Sequence, residues 1–405
     1  MKVPKMADGK APNTSLPPDY LDRLLKILAN LPKRSLQSRK VINTIVEFLR
    51  KVQGTALAKK QYVEIWDQIW AASTSSPSED REISDPVGYA INDPAGKLTE
   101  DLLKYLWPKD AKVNGGISSD LANRLKKIVQ RTDHSAIDAS SVIVASRAEV
   151  LHAVAPEFTK QDILPLFRWD TNPSAAAYWS AFLWPARISP DLFKLLEADC
   201  LTALRRPDQF EERTYEHLCQ LFLLASMEFK AVDEKIVREI LDEIGTKGLE
   251  YMSSFLRHRM LNSKEDAASY WIQTIKPWIE LHWPRDEARQ SSHTRADFAM
   301  VATYSNECFP RALHWLENNG LLGETPSAST ILYSLKDRGG KTHKDFKDSA
   351  MLPERFPEEV LHLLWITRPF QWEHGQAREI LDRILSCKPE LEKSIEYQDI
   401  AEMTS

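Results

Sequence analysis

Three times this chain closes an amphipathic run with the same dipeptide, at Trp107-Pro108, Trp184-Pro185 and Trp283-Pro284. Proline has no N–H to give to a further helical turn, and its ring collides with the carbonyl four residues back, so each dipeptide predicts a helix end. The tryptophan before it brings a large apolar ring to that end, which predicts a packing anchor. Helix patterns lie on both sides of every stop. The fold class expected from them is all-α.

Glycine usage agrees. The chain has 13 glycines in 405 residues, well below the ~7% that is usual, whereas sheet proteins and nucleotide-binding α/β folds spend glycine on turns and phosphate loops. A hydrophobic content of 43% with 27% charged residues is that of a chain able to bury a core. The longest nearly apolar run, residues 221–227, is far short of the ~20 residues that span a bilayer, so no membrane helix is expected. Residues 1–10 are charged without an apolar core of signal-peptide type, and the expected location is the cytoplasm. Cys200, Cys219, Cys308 and Cys387 are widely spaced within helix-like segments, a pattern of reduced core thiols.

Charge is unevenly spread. Residues 1–60 hold 13 Lys or Arg against four acids, a net of +9 in a chain whose total is −5, so the remainder carries −14. A basic end of this kind can meet nucleic acid. No aromatic-plus-basic RNA motif or recognition-helix signature accompanies it, and a solvated helix face beside an acidic body is the preferred reading.

Along the chain, residues 1–17 are polar and proline-bearing and are expected to be a disordered tail. Residues 18–70 form an N-terminal helical bundle: Leu21, Leu24, Leu25 and Leu28, then Ile42, Ile45, Val46 and Leu49, then Tyr62, Ile65, Trp66, Ile69 and Trp70 each fall at helical spacing. Residues 71–85, AASTSSPSEDREISD, have no apolar face and read as a linker. Residues 86–405 read as an α-helical array. Asp93-Pro94 is a strong helix start, with Asp93 as N-cap and Pro94 at the first helical position, and Gly96 just inside points to close backbone packing. Breaks near Pro156, Asn172-Pro173, Pro185, Pro207-Asp208, Gly245, Asn262-Ser263 and Pro284 are short enough for helix-to-helix turns. Residues 320–357 are the least helical stretch. With no strict repeat period, the expected architecture is an irregular α-solenoid of stacked helical hairpins, HEAT-like rather than a regular repeat array.

Patterns that carry chemistry are weak. Asp208 after Pro207, followed by Glu228-Phe229-Lys230, has the PD…ExK spacing of metal-dependent nucleases, but that chemistry needs neighbouring strands and residues 211–225 read as a helix. Gly339-Gly340-Lys341-Thr342 resembles the end of a phosphate loop, yet the earlier glycine would fall at Leu335. There is no GxGxxG, HExxH, GxSxG or SxxK, and the ten histidines include no His-Cys cluster at ligand spacing. His258, between Arg257 and Arg259, is expected to face the negative end of a helix dipole. Trp271, Ile275, Trp278 and Ile279 form a helical stripe that Pro277 should kink. Core packing is the plain reading of the stripe. The functional one is a groove for a partner, with Trp271 and Trp278 in its wall and Arg285 on its rim.

Four stretches resemble the helical carboxy-terminal regions of large bacterial anti-phage defence proteins that carry an amino-terminal sirtuin-like NADase domain. They are residues 90–103 (AINDPAGKLTEDLL), 178–196 (YWSAFLWPARISPDLFKLL), 270–286 (YWIQTIKPWIELHWPRD) and 356–385 (FPEEVLHLLWITRPFQWEHGQAREILDRIL). The matching segments belong to a scaffold and bring no catalytic residues, and a glycine-rich NAD loop is missing from the sequence. The expectation is therefore a non-enzymatic helical scaffold or recognition module without cofactor, binding a protein partner such as an effector subunit or phage component. The alternative is a nucleic-acid-binding or metal-dependent nuclease protein that uses the basic first 60 residues and Asp208, Glu228 and Lys230.

Overall fold

A computed structural model describes residues 18–56, 60–75, 85–107, 111–130, 137–185, 187–263, 267–325, 329–336, 348–369 and 374–404. The regular elements among them are helices, with no strand. The chain divides into two compact units, Met1–His217 and Leu218–Ser405. The first contains α1 Pro18–Ala29, α2 Arg39–Ala56, α3 Lys60–Ser75, α4 Pro86–Asn92, α5 Pro94–Leu106, α6 Ser119–Val129, α7 Ala139–Ala145, α8 Ala148–Val154, α9 Pro156–Phe158, α10 Ala175–Leu183 and α11 Pro190–Leu204. The division falls within α12, Glu212–Met227. The second unit continues with α13 Glu234–Glu243, α14 Gly245–Ser263, α15 Ala267–Tyr270, α16 Lys276–His282, α17 Ser292–Thr303, α18 Phe309–Asn318, α19 Ser329–Leu335, α20 Leu352–Arg355, α21 Pro357–Thr367, α22 His374–Cys387 and α23 Ile395–Met403.

In the first unit the helices gather around α7, ASSVIVA, all seven of whose residues are buried. A helix buried on every side needs neighbours to cover it all round and partners for its two serines. Here α4, α5, α6 and α10 cover it. The N-terminal helices join the same core. Trp66, stacked on Trp70 at 5.8 Å, donates its indole N–H to the carbonyl of Leu98 on α5 at 2.8 Å, and Trp70 donates to Ser140 on α7 at 3.0 Å. Helix α3 of the expected bundle thus bonds to α5 and α7. Of residues 71–85, those up to Ser75 are the last turn of α3, Asp85 is the N-cap of α4, and the rest lie outside the described residues, as does the tail expected at 1–17.

Asp93 and Pro94 start α5 as their chemistry requires. The Asp93 carboxylate accepts from the Ala95 N–H at 2.8 Å and pairs with Arg39 of α2 at 2.9 Å. Gly96 lets α4 and α5 touch backbone to backbone: a Cβ there would lie 2.0 Å from the carbonyl oxygen of Ala90. Three buried rings anchor α10, where Trp179 meets Phe167 and Phe182 edge-on at 5.5 and 5.8 Å and donates to the Phe167 carbonyl at 3.1 Å.

The second unit is organised around α17, whose residues Phe298–Thr303 are buried in an unbroken run, with α14, α18, α19 and α21 against it. Gly245, after α13, and Gly320, after α18, take positive φ (65° and 68°), the left-handed conformation that ends helices and that glycine adopts without a Cβ penalty. The expected sparse region keeps α19, with short helical turns from Ser349 onward, and the Gly339–Thr342 motif lies outside the described residues.

All three Trp-Pro tryptophans sit at helix C-caps, of α5, α10 and α16. Their burial differs, and Trp107 is half-buried. Trp283 is 3% exposed, meets Phe298 edge-on at 5.0 Å and donates to Gln290 at 3.1 Å, whereas Trp184 is 60% exposed. Helix termination follows from the proline alone, while anchoring needs a neighbour to cover the ring. The cysteine expectation is corrected at one position: Cys200, Cys219 and Cys308 are buried, and Cys387 is exposed.

Two measurements test this core. Gly96→Ala should lower stability by about 1–3 kcal/mol in urea unfolding, overriding the ~1 kcal/mol by which alanine otherwise favours a helix. The Asp101 side chain is 2% exposed beside Arg50, and burial raises its pKa from 3.8 to about 6. Between those values the folded chain keeps a proton that the unfolded chain has lost, so stability should fall as pH rises through this window and level off above it. Asp101→Asn should remove that slope, as read by thermal unfolding across pH.

Candidate functional site

A cleft of about 770 Å³ with converging polar groups lies in the second unit, between the loop after α12, the start of α13 and the helix run α15–α16. Its walls combine apolar surface from Met227, Val232, Pro277, Trp278 and Leu281 with polar groups from Glu228, Lys230, Tyr270, Thr274 and His282. The volume falls within the range of small-ligand clefts.

One wall owes its shape to Pro277. The kink expected there takes the form of a π turn over Trp271–Ile275, closed by the Lys276 N–H bonding to the Trp271 carbonyl five residues back. Widening the helix by one residue makes room for the proline ring, which would otherwise strike the carbonyl four positions earlier. Gln273, Thr274, Pro277 and Trp278, within or just after the widened turn, then line the cleft.

The opposite wall follows from how α12 ends. Lys230 has φ 51°, and the Ala231 N–H bonds to the Ala225 carbonyl at 3.0 Å, a left-handed closure that glycine ordinarily supplies. A residue with a Cβ pays about 1 kcal/mol to sit there. Beside it, Glu228 accepts from the Tyr270 hydroxyl at 2.7 Å and is ion-paired with Arg259, whose guanidinium also lies 5.9 Å from the Tyr270 ring centroid. Burial, together with the Glu228 charge, pushes the Tyr270 phenol up to about 12, and the phenol stays protonated as the donor that Glu228 needs.

Two cleft atoms lack partners. The Trp278 indole N–H and His282 Nδ1 are buried without a hydrogen-bond partner among the described residues, and Trp278 is only 5% exposed. An unmet buried donor costs roughly 1–3 kcal/mol, a cost that an occupant with an acceptor oxygen would offset. Burial lowers the pKa of His282, which favours the neutral ring.

The residues expected to form a partner groove separate into two places. Trp278 is in the cleft wall. Trp271 is 2% exposed and packs edge-on against Trp315 at 5.8 Å, over whose ring Arg285 and Lys276 each lie at 5.5 Å. Trp271 is therefore core, and Arg285 braces Trp315 while donating to the Ile279 carbonyl at 3.3 Å. The aromatic spacing carried the expectation, but only packing shows which ring turns inward.

The parts of the nuclease spacing lie outside strands. Residues Glu212–Met227 between its parts are helical, Asp208 lies on an exposed turn, and Glu228 is held by Arg259 and Tyr270. The pair flanking His258 has other work than facing a helix end. Arg257 pairs with Asp297 at 2.9 Å and Arg259 with Glu228. Within the basic N-terminal segment, Arg39 and Arg50 are engaged by Asp93 and by Glu100 and Asp101.

Replacing Lys230 by glycine should relieve the left-handed strain and raise stability by about 1 kcal/mol in urea unfolding. A decrease would mean that the lysine side chain supports the loop.

No family model matches the chain, and no solved structure matches it. The chain is 23% identical over 345 residues to an uncharacterized protein, y4cA, of Sinorhizobium fredii, a match covering 80% of this chain and 27% of the relative, so the chain spans about a quarter of the length of the curated relative it matches.

Proposed function

We propose that this chain is a non-enzymatic helical recognition module, an irregular array of the HEAT kind, acting in the cytoplasm in bacterial anti-phage defence. The observation that carries the binding role is the cleft built by the π turn and the left-handed end of α12, with the buried Trp278 N–H open to an acceptor and His282 Nδ1 open to a hydrogen-bond partner. A protein partner's segment fits that chemistry: its backbone carbonyls supply acceptors, and an apolar side chain covers Val232 and Leu281. Recognition needs no group activated for catalysis, and Glu228 in the cleft wall is tied to Arg259 and Tyr270. The defence setting rests on the four stretches that resemble helical regions of larger defence proteins. The long relative, of which this chain matches 27%, is consistent with such a module working beside other domains. Among the described residues no helix is long and apolar enough to cross a membrane.

The test is a photocrosslinker placed at exposed Gln273 in cells challenged with phage. It should trap a defined protein segment, and Thr274→Trp, which fills the cleft, should weaken that association by about 30-fold, the equivalent of a ~2 kcal/mol hot spot, and should lower protection in plaque assays. Unchanged crosslinking and protection in the Thr274→Trp protein, shown to be folded by its circular dichroism, would reject the cleft as the recognition site.

A further inference from the structure

His314 and Glu317 lie one turn apart on α18, and α21, packed on α18, carries His362. Spacing of three residues puts His314 and Glu317 on one helix face. The packing then delivers His362 to the same spot: its Nε2 is 3.0 Å and 3.1 Å from the two carboxylate oxygens of Glu317. Nδ1 of His314 is 3.9 Å from Oε2 of Glu317, and the two imidazole centroids are 6.0 Å apart. One nitrogen or oxygen from each of the three residues lies within 4.8 Å of the others.

We propose that His314, Glu317 and His362 bind a divalent first-row transition ion, with Zn²⁺ the ion whose preferences the set fits best. Two imidazoles and a carboxylate are borderline donors that suit zinc, and ligand bonds of about 2.0–2.2 Å place ligand atoms roughly 3.3–3.5 Å apart around a tetrahedral ion. The separations of 3.0 and 3.9 Å bracket that value, and a small rotation of His314, whose side chain is 56% exposed, brings its nitrogen in. A hydrogen-bonded His362–Glu317 pair alone would leave the third donor unexplained. His362 is steadied from its other side: its ring stacks on Trp365 at 5.9 Å, and the Trp365 indole N–H donates to Asp399 of α23 at 3.1 Å. With three protein ligands and an exposed edge, the ion keeps a position open for water.

The experiment uses the full chain stripped with a chelator and dialysed, then titrated with Zn²⁺ against a chromophoric competitor and, separately, with Co²⁺ while its visible d–d absorption is followed. One tight equivalent is expected, with a cobalt spectrum of low coordination number and a higher melting temperature in the presence of zinc. His314→Ala is the deciding variant, because it removes an exposed ligand and leaves the His362–Glu317 hydrogen bond intact. Its metal-free melting temperature should equal that of the wild type, while its zinc affinity should fall by about 100-fold, the upper end of the loss seen when a mere supporting residue is removed. Zinc affinity unchanged in His314→Ala, or wild-type binding no tighter than that of a chain lacking all three side chains, would overturn the proposal and leave a hydrogen-bonded pair with a neighbouring histidine.

Discussion

The first unit depends on covering α7. Its seven consecutive residues are all buried, and each helix around them presents an apolar stripe of its own that must be buried. A fully buried leucine or valine is worth roughly 1.5–3 kcal/mol, so one such helix makes its neighbours mutually dependent. The backbone contact at Gly96 and the indole N–H bonds of Trp66 and Trp70 are local consequences: they set how closely α5 and α3 approach, and they satisfy donors that burial would otherwise leave unmet. In the second unit α17 imposes the same condition.

The cleft illustrates how departures from regular helix become usable surface. A straight α-helix presents a closed ladder of backbone bonds and convex sides. The π turn at Trp271–Ile275 and the left-handed Lys230 break that regularity at two places, and the concavity lies where these departures meet. The Arg259–Glu228–Tyr270 network stiffens one side of it, since each of the three polar groups depends on the other two. Within this fold, α18 has two roles: Trp315 receives Trp271, Arg285 and Lys276, and His314 and Glu317 turn toward α21.

Much of the helical layout was legible because its causes are local. Asp93-Pro94 capped and started α5 as its side chains dictate, the tryptophans before proline stand at helix C-caps, and the apolar spacing of Tyr62, Ile65, Trp66, Ile69 and Trp70 marked the buried face of α3. The site was less legible. Trp278 was found by its place in an aromatic stripe, but the same stripe offered Trp271, which is core, and Arg285, which braces Trp315. Lys230 appeared only as part of a nuclease spacing, because nothing local announces a non-glycine residue with positive φ. His362 gave no signal, since a ligand 45 residues from Glu317 has no fixed spacing to detect.

The sequence by itself determined that the chain is helical, where many of its helices start and stop, and which faces are apolar, because propensity, capping and proline chemistry act within a few residues. Tertiary structure decided which helices are central, that Trp283 is buried while Trp184 is exposed, and which polar side chains meet. Those outcomes depend on contacts between residues far apart in the chain. Burial of an apolar face is non-directional, and only the packed arrangement chooses the neighbour that covers it.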